Sequence, residues 1–157
     1  MPRIFIAAGS NLGDRRHHLE TAFQNLCREP ALKSAGCSPV YETKPAGGPP
    51  QGNFLNTVWL FETVWPPEKI LAVLQEIERK LGRVRGEKNG PREIDLDLIA
   101  YDELCVERPG LHVPHERMHT RWFVLKPLCD LAPQWKHPEL NKTAAELLAA
   151  LEKDQTA

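Results

Sequence analysis

The 157-residue sequence has no close-set cysteines. Cys27, Cys37, Cys105 and Cys129 are scattered, without a Cys-x-x-Cys pair or the Cys/His spacing of a structural metal site. A disulfide scaffold and a zinc-built fold are thereby excluded, and ordinary reduced thiols are expected. Excess charge of either sign is missing too: 20 Lys and Arg stand against 21 Asp and Glu, a formal net charge of -1. No overall field then draws the chain to nucleic acid or an anionic membrane, and any anion site has to be a local cluster. No apolar run approaches bilayer-spanning length, and Met-Pro-Arg-Ile-Phe-Ile carries no cleavable leader pattern, so a soluble, cytoplasmic protein without a membrane partner is expected. Internal repeats and low-complexity segments are absent. With 41% hydrophobic residues, the chain can close one sizeable core, and a single domain over 1–157 is expected.

Arg3 to Ala8 reads as a short buried strand running into Gly9-Ser10-Asn11-Leu12-Gly13-Asp14, residues suited to a tight turn and a helix start. Leu19, Ala22, Phe23 and Leu26 then recur at the spacing of one helix face, and that helix should end near Pro30. Lys33 to Tyr41 reads as a second strand, Pro45 to Gly52 as a long loop, and the β-branched and aromatic stretch Phe54 to Thr63 as a third strand. Pro66-Pro67-Glu68 opens a second helix with the apolar stripe Ile70, Leu71, Val73, Leu74, Ile77 and Leu81, and Gly82 stands where a left-handed cap is wanted. Ile94 to Tyr101 is the fourth strand, and Thr143-Ala144-Ala145-Glu146 is a capping box opening a last amphipathic helix through Leu151. The order β-α-β-β-α-β predicts an α+β fold: a ferredoxin-like antiparallel sheet with both helices on one face, plus C-terminal additions.

Chemistry concentrates in Gly90-Pro91-Arg92-Glu93-Ile94-Asp95-Leu96-Asp97-Leu98-Ile99. Strand alternation points Asp95 and Asp97 to one face and Leu96 and Leu98 to the other. A bare Asp-x-Asp can equally be two solvated acids on an exposed strand. Two like charges side by side are unfavourable unless a cation lies between them, and hard oxygen ligands suit Mg2+ with phosphate oxygens completing its shell. Upstream, Arg83, Arg85, Lys88 and Arg92 form a basic loop interleaved with Gly82, Gly86 and Gly90. Alone it reads as a solvated connector; facing a metal pair, it is what a polyphosphate needs. His115 and Arg121 gain weight for the same reason. Gly9-Ser10-Asn11-Leu12-Gly13 is neither a P-loop nor a dinucleotide fingerprint and reads best as a structural turn, while Trp59 and Phe61 read as core.

Taken together, Gly9 to Gly13, Tyr41-Glu42-Thr43-Lys44-Pro45, Phe54-Leu55-Asn56, Gly82-Arg83-Val84-Arg85, Gly90 to Asp97 and Val113-Pro114-His115 resemble the 6-hydroxymethyl-7,8-dihydropterin pyrophosphokinases of folate synthesis. The resemblance implies two Mg2+ ions held by Asp95 and Asp97 on the ATP triphosphate, attack of the pterin hydroxymethyl oxygen on the β-phosphorus, and departure of AMP. It implies a pterin stacked between Phe54 and Phe123, its edge bonded by Asn56 and by the backbone around Thr43, Pro45 and Ala46. It places Gln75 and Glu78 near the nucleotide, Arg83 and Arg92 on the transferring group, and Arg85, His115 and Arg121 on the triphosphate. A monomer is expected. Two positions depart from the family pattern: Asn89 stands where a lid tryptophan is usual, in a loop one residue shorter, and Gly110 stands at a basic position that Arg108 could replace. Two other readings compete. An RNA-binding module shares the element order and reads bases from aromatics on the sheet, but the third strand lacks the Lys/Arg-Gly-aromatic pattern. A nucleotidyltransferase combines a Gly-Ser turn with Asp-x-Asp, but there the turn lies close before the acids and pyrophosphate is released.

Overall fold

In a computed structural model describing residues 1–45, 48–82 and 93–156, the N-terminal apolar run forms strand β1 (Arg3–Ser10). The chain turns through Gly13, at a φ of 71°, into helix α1 (Arg15–Cys27), capped by the Asp14 carboxylate, which accepts the His17 N–H. The strand expected over 33–41 is broken into β2 (Lys33–Cys37) and β3 (Tyr41–Thr43), lying end to end along β4 (Phe54–Glu62). The break falls at Pro39, which has no N–H to give a ladder; beside it the Ser38 hydroxyl accepts the Val58 N–H at 2.9 Å, so β4 keeps its partner.

Helix α2 (Pro67–Lys80) has Glu68 in its first turn and Arg79 and Lys80 in its last, favourable at both poles. Gly82 follows at a φ of 95°, as its place in the sequence requires. Strand β5 (Asp95–Tyr101) leads into a small hairpin, β6 (Val106–Arg108) and β7 (Leu111–Val113), and a 3-10 turn at Met118–Thr120. Helix α3 (Trp122–Leu131), a hairpin of β8 (Lys136–His137) and β9 (Lys142–Thr143), and helix α4 (Ala144–Thr156) complete the described chain. The capping box forms as read: the Thr143 N–H donates to Glu146 at 3.0 Å, and the Glu146 N–H to the Thr143 hydroxyl at 3.1 Å. Its helix runs past Leu151.

The main sheet has the order β2-β4-β1-β5 with β3 beside β4, every pairing antiparallel, which is the ferredoxin-like arrangement. As expected, α1 and α2 share one face, where Leu19, Leu26, Ile70, Leu74 and Ile77 meet Ile4, Ile6, Trp59, Phe61 and Leu98. Phe23 packs on the rings of Trp59 and Phe61 at 5.2 and 5.7 Å, so those aromatics are core. The opposite face has a second core: Phe5, Val58, Leu60, Ile99 and Ala100 lie under Val124, Leu125 and Leu128 of α3 and Leu147 of α4. The C-terminal additions are thus a third layer. They occupy the face on which an RNA-binding sheet would display its aromatics, and that reading is set aside. Helix α3 holds Pro127 inside it and buries Val124, Leu125 and Leu128 between the sheet and α4.

The β1–β5 register slips between Phe5, paired with Ala100, and Ile6, paired with Leu98, leaving Ile99 as the extra residue. Such a bulge resets which residues face which layer. Asp95 and Asp97 stay with the α3 face, while Tyr101 turns back to the first core. The four cysteines are unpaired, and among the described residues no helix is long and apolar enough to cross a membrane.

Candidate active site

The floor of the site is a piece of the sheet where the central strand carries almost no side chain. In register, Asn56 of β4, Gly9 of β1 and Asp95 of β5 form one row across the sheet, and Val58, Ala7 and Asp97 form the next. With strands about 4.8 Å apart, the Asn56 and Asp95 backbones lie about 10 Å from each other, an amide on one side of a dip and an acid on the other. Gly9 keeps the dip open: a Cβ there would sit 3.2 Å from Asn56 Oδ1 and 3.5 Å from Phe54 Cδ1. The start of α3 and the turn before it supply the other wall. Together they enclose a cavity of about 520 Å³ lined by Thr43, Pro45, Phe54, Asn56, Asp95, Asp97, Arg121 and Phe123, all of them expected from the sequence.

The amide side is fixed by hydrogen bonds. Asn56 Nδ2 donates to Thr43 Oγ1 at 2.6 Å across the β3–β4 ladder. The loop after Pro45 is tied down at its far end, where Asn11 Nδ2 donates to Gln51 Oε1 at 2.8 Å and to the Gly52 carbonyl at 3.0 Å. Arg15 bonds the Asn53 carbonyl at 3.0 Å and pairs with Glu42 at 3.2 Å. The Gly9 to Gly13 turn therefore works as a structural fastener, as its sequence suggests. Trp122, which sequence reasoning missed, lines the cavity; it stands edge-on to Tyr41 at 5.5 Å and donates its indole N–H to Glu152 at 3.2 Å. Tyr41 donates its hydroxyl to Asp130, which also accepts from Lys126 at 3.3 Å. Helices α3 and α4 are thereby fastened to the strand that holds Thr43.

On the acid side, burial alternates along β5: Leu96 and Leu98 are buried while Asp95 and Asp97 are half-exposed and face the cavity, on one face as expected. Two carboxylates two residues apart, about 7 Å along a strand, opening on a polar cavity, fit Mg2+ ions whose remaining ligands are phosphate and water oxygens. Among the described residues no group of three or more His, Cys, Asp or Glu converges, and a cation sharing its shell with a substrate does not require one.

Asp97 also borders a second cavity of about 390 Å³, walled by Leu71, Leu98, Arg108, Leu111, His112 and His115. The two cavities meet at Asp97. The His115 N–H donates to the Ile99 carbonyl at 2.9 Å, and burial, with the nearby Arg121 guanidinium second, holds its imidazole below the ordinary histidine range. At neutral pH it is an uncharged donor or acceptor. Arg121 stands ahead of α3 with its guanidinium carbon 5.7 Å from the Phe123 ring. Arg108 lines the second cavity as an ion pair with Glu68 at the start of α2. His112, also missed, donates Nδ1–H to the Pro114 carbonyl at 2.8 Å, which raises its pKa. Its signal lay in an alternation, Leu111 and Val113 inward and His112 between them, too short to read. Gln75 is exposed on α2 and Glu78 is turned into the protein; neither lines either of these two cavities. Ala46, Arg83, Arg85 and Arg92, with Asn89, lie outside the described residues.

Residues 5–133 match the model of a family described as 7,8-dihydro-6-hydroxymethylpterin-pyrophosphokinase. The chain is 40% identical over 148 residues to a 2-amino-4-hydroxy-6-hydroxymethyldihydropteridine pyrophosphokinase of Pseudomonas aeruginosa, covering 94% of this chain and 91% of that one. It is 39% identical over 142 residues to the Bacillus subtilis protein of the same name, 90% of this chain and 83% of its relative. Among solved structures, a Plasmodium falciparum HPPK-DHPS triple mutant with pteroate superposes with a TM-score of 0.75 at 16% identity, covering 98% of this chain and 44% of that one. At that identity the likeness is one of fold.

Proposed function

The chain belongs to the 7,8-dihydro-6-hydroxymethylpterin-pyrophosphokinase family, and on that premise we propose how its two joined cavities divide the reaction. The protein is a pyrophosphokinase of folate biosynthesis. In our reading, the larger cavity takes 6-hydroxymethyl-7,8-dihydropterin and the smaller takes the nucleoside of ATP, with the triphosphate crossing the acids between them. The hydroxymethyl oxygen bonds to the β-phosphorus, the bond from that phosphorus to the α,β-bridging oxygen breaks, the hydroxyl proton is lost, and AMP leaves with the bridging oxygen.

The observation that carries this reading is the row Asn56–Gly9–Asp95, which sets an amide and an acid on either side of a floor without side chains. A flat heteroaromatic ring needs rings on its faces and amides at its edge; Phe54 and Phe123 line the cavity for the first, and Asn56, oriented by Thr43, serves the second. Asp95 and Asp97 would hold Mg2+, which supplies charge neutralisation and orientation to the triphosphate. Arg121 adds a fixed positive charge beside them, and neutral His115 offers a hydrogen bond without adding another charge. Arg83, Arg85 and Arg92 complete the cationic side in this proposal.

A chromatographic product assay with ATP, Mg2+ and the pterin tests it. Pterin-dependent AMP with a pterin diphosphate is the expected result. Release of pyrophosphate would favour the nucleotidyltransferase reading, and turnover unchanged after chelation of Mg2+ would remove the metal from it.

A further inference from the structure

Among the described residues strand β5 is the last strand of its sheet and pairs with β1 alone, so every second N–H along it points away from the sheet. Leu96, between the two acids, is 4% exposed, and a buried N–H without an acceptor is costly. Its N–H donates to Glu78 Oε2 at 2.7 Å. Glu78 itself is 6% exposed. On α2 it follows Ile70, Leu74 and Ile77 in the buried set, at a position on the apolar stripe where leucine or isoleucine would be the default. An acid buried there breaks the local rule, and such breaks belong to function or to a specific bond. Here the helix carboxylate does the work of a missing neighbour strand, at the one residue whose backbone sets the spacing of Asp95 and Asp97.

We propose that Glu78 is a positioning residue for the acid pair: by accepting the Leu96 N–H it fixes the backbone between Asp95 and Asp97 and so the aim of both carboxylates into the cavity. The role rests on the reading of those acids as the cation site and differs from a nucleotide contact. A charge-assisted bond from a helix already packed on the strand holds the pair against the mutual repulsion that would otherwise splay it. Reach of the acceptor matters more than its charge.

The full chain carrying Glu78→Gln, Glu78→Asp or Glu78→Leu tests this with three readouts: hydrogen exchange at the Leu96 amide, Mn2+ binding by electron paramagnetic resonance with a non-hydrolysable ATP analogue, and kcat and KM for ATP. Glutamine keeps an acceptor at the same reach, aspartate keeps the charge one methylene short, and leucine keeps only the packing. The expected order of Leu96 protection, Mn2+ affinity and kcat is Gln above Asp above Leu, with Mn2+ affinity about tenfold or more below wild type in the leucine variant and KM for ATP at saturating metal little changed. If the leucine variant does not fold, the order of glutamine and aspartate still decides. Aspartate above glutamine, or Leu96 protection and metal affinity unchanged in the aspartate variant, would overturn the proposal; a raised KM for ATP with both intact would make Glu78 a nucleotide contact. Asp97→Ala separates the two levels: if it leaves Mn2+ binding untouched, the cation site is misread, whereas the Leu96 exchange order judges Glu78 alone.

Discussion

The two faces of the sheet are built from the same strands and finished differently. On the first, helices α1 and α2 close over Ile4, Ile6, Trp59, Phe61 and Leu98 in one continuous core. On the second, α3 and α4 seal only the half around Phe5, Val58, Leu60 and Ile99, and beyond it the central strand offers Ala7 and Gly9 instead of large side chains. Each strand therefore serves two purposes, residue by residue: β5 gives Leu96 and Leu98 to the closed face and Asp95 and Asp97 to the open one. The closed face holds the backbone still, and the open face can then place an amide and two acids at fixed separation without using its own packing to do so.

This division predicts opposite outcomes for substitutions on the two sides. Asp97→Ala removes a ligand from the open face and should lower turnover about 1,000-fold, since cation stabilisation of the transferring group is worth several kcal/mol and each 1.36 kcal/mol is tenfold. Its melting temperature should stay level or rise slightly, because one of two adjacent like charges is gone. Leu74→Ala, at a side chain 0% exposed in the closed core, should cost about 2–5 kcal/mol of stability and leave kcat of the folded enzyme near wild type. Thermal melts and steady-state kinetics on both proteins decide. A cold-sensitive or unfolded Asp97→Ala, or an inactive but fully stable Leu74→Ala, would abolish the distinction.

The closed face was largely legible in the sequence because it obeys simple periods. Leu19, Ala22 and Leu26, then Ile70, Leu74 and Ile77, announce two helices, and alternation around Asp95 and Asp97 announces their shared face. Of the third layer only α4 was, through its capping box; helix α3 was not. It holds Pro127 inside it, and a proline argues against a helix until the packing around it is known. The site residues it brings, Trp122 above all, stayed hidden for that reason, whereas Phe123 came from family resemblance alone. The break between β2 and β3 could have been read from Pro39, but the Ser38 hydroxyl that heals it could not. Glu78 was legible as a polar residue near the nucleotide side; that its carboxylate faces the backbone between the acids required the register of β5 against α2.

A smaller effect sharpens the comparison within the open face itself. Gly9→Ala would put a methyl 3.2 Å from Asn56 Oδ1, a distance that forces the amide to shift by a few tenths of an ångström. Because the push is toward β4 and not toward β5, KM for the pterin should rise about tenfold, roughly the 1.4 kcal/mol of one displaced hydrogen bond, while ATP kinetics hold. Varying each substrate in turn checks this. An equal loss for both substrates would mean that the floor moves as one piece.

The smallest effect lies at the far end of the sealed half, in the β8–β9 hairpin. His137 is 4% exposed, and its Nδ1 accepts the N–H groups of Glu139 and Leu140, each at 3.2 Å. Burial is the main cause that lowers its pKa, and a protonated ring could accept neither bond. The unfolded chain, with an ordinary imidazole near pH 6.5, then binds the proton more readily than the folded one. This contribution to stability is complete above that value and is lost as pH falls from it through the lower folded pKa. His112, whose pKa is raised by the Pro114 carbonyl, titrates in the opposite sense, so the informative quantity is a difference between proteins. Between pH 7.5 and 5.5 the melting temperature of His137→Asn should fall less steeply than that of the parent, though from a lower start. Parallel lines would show that the hairpin tolerates the charged ring, and that the sealed half is indifferent to its protonation.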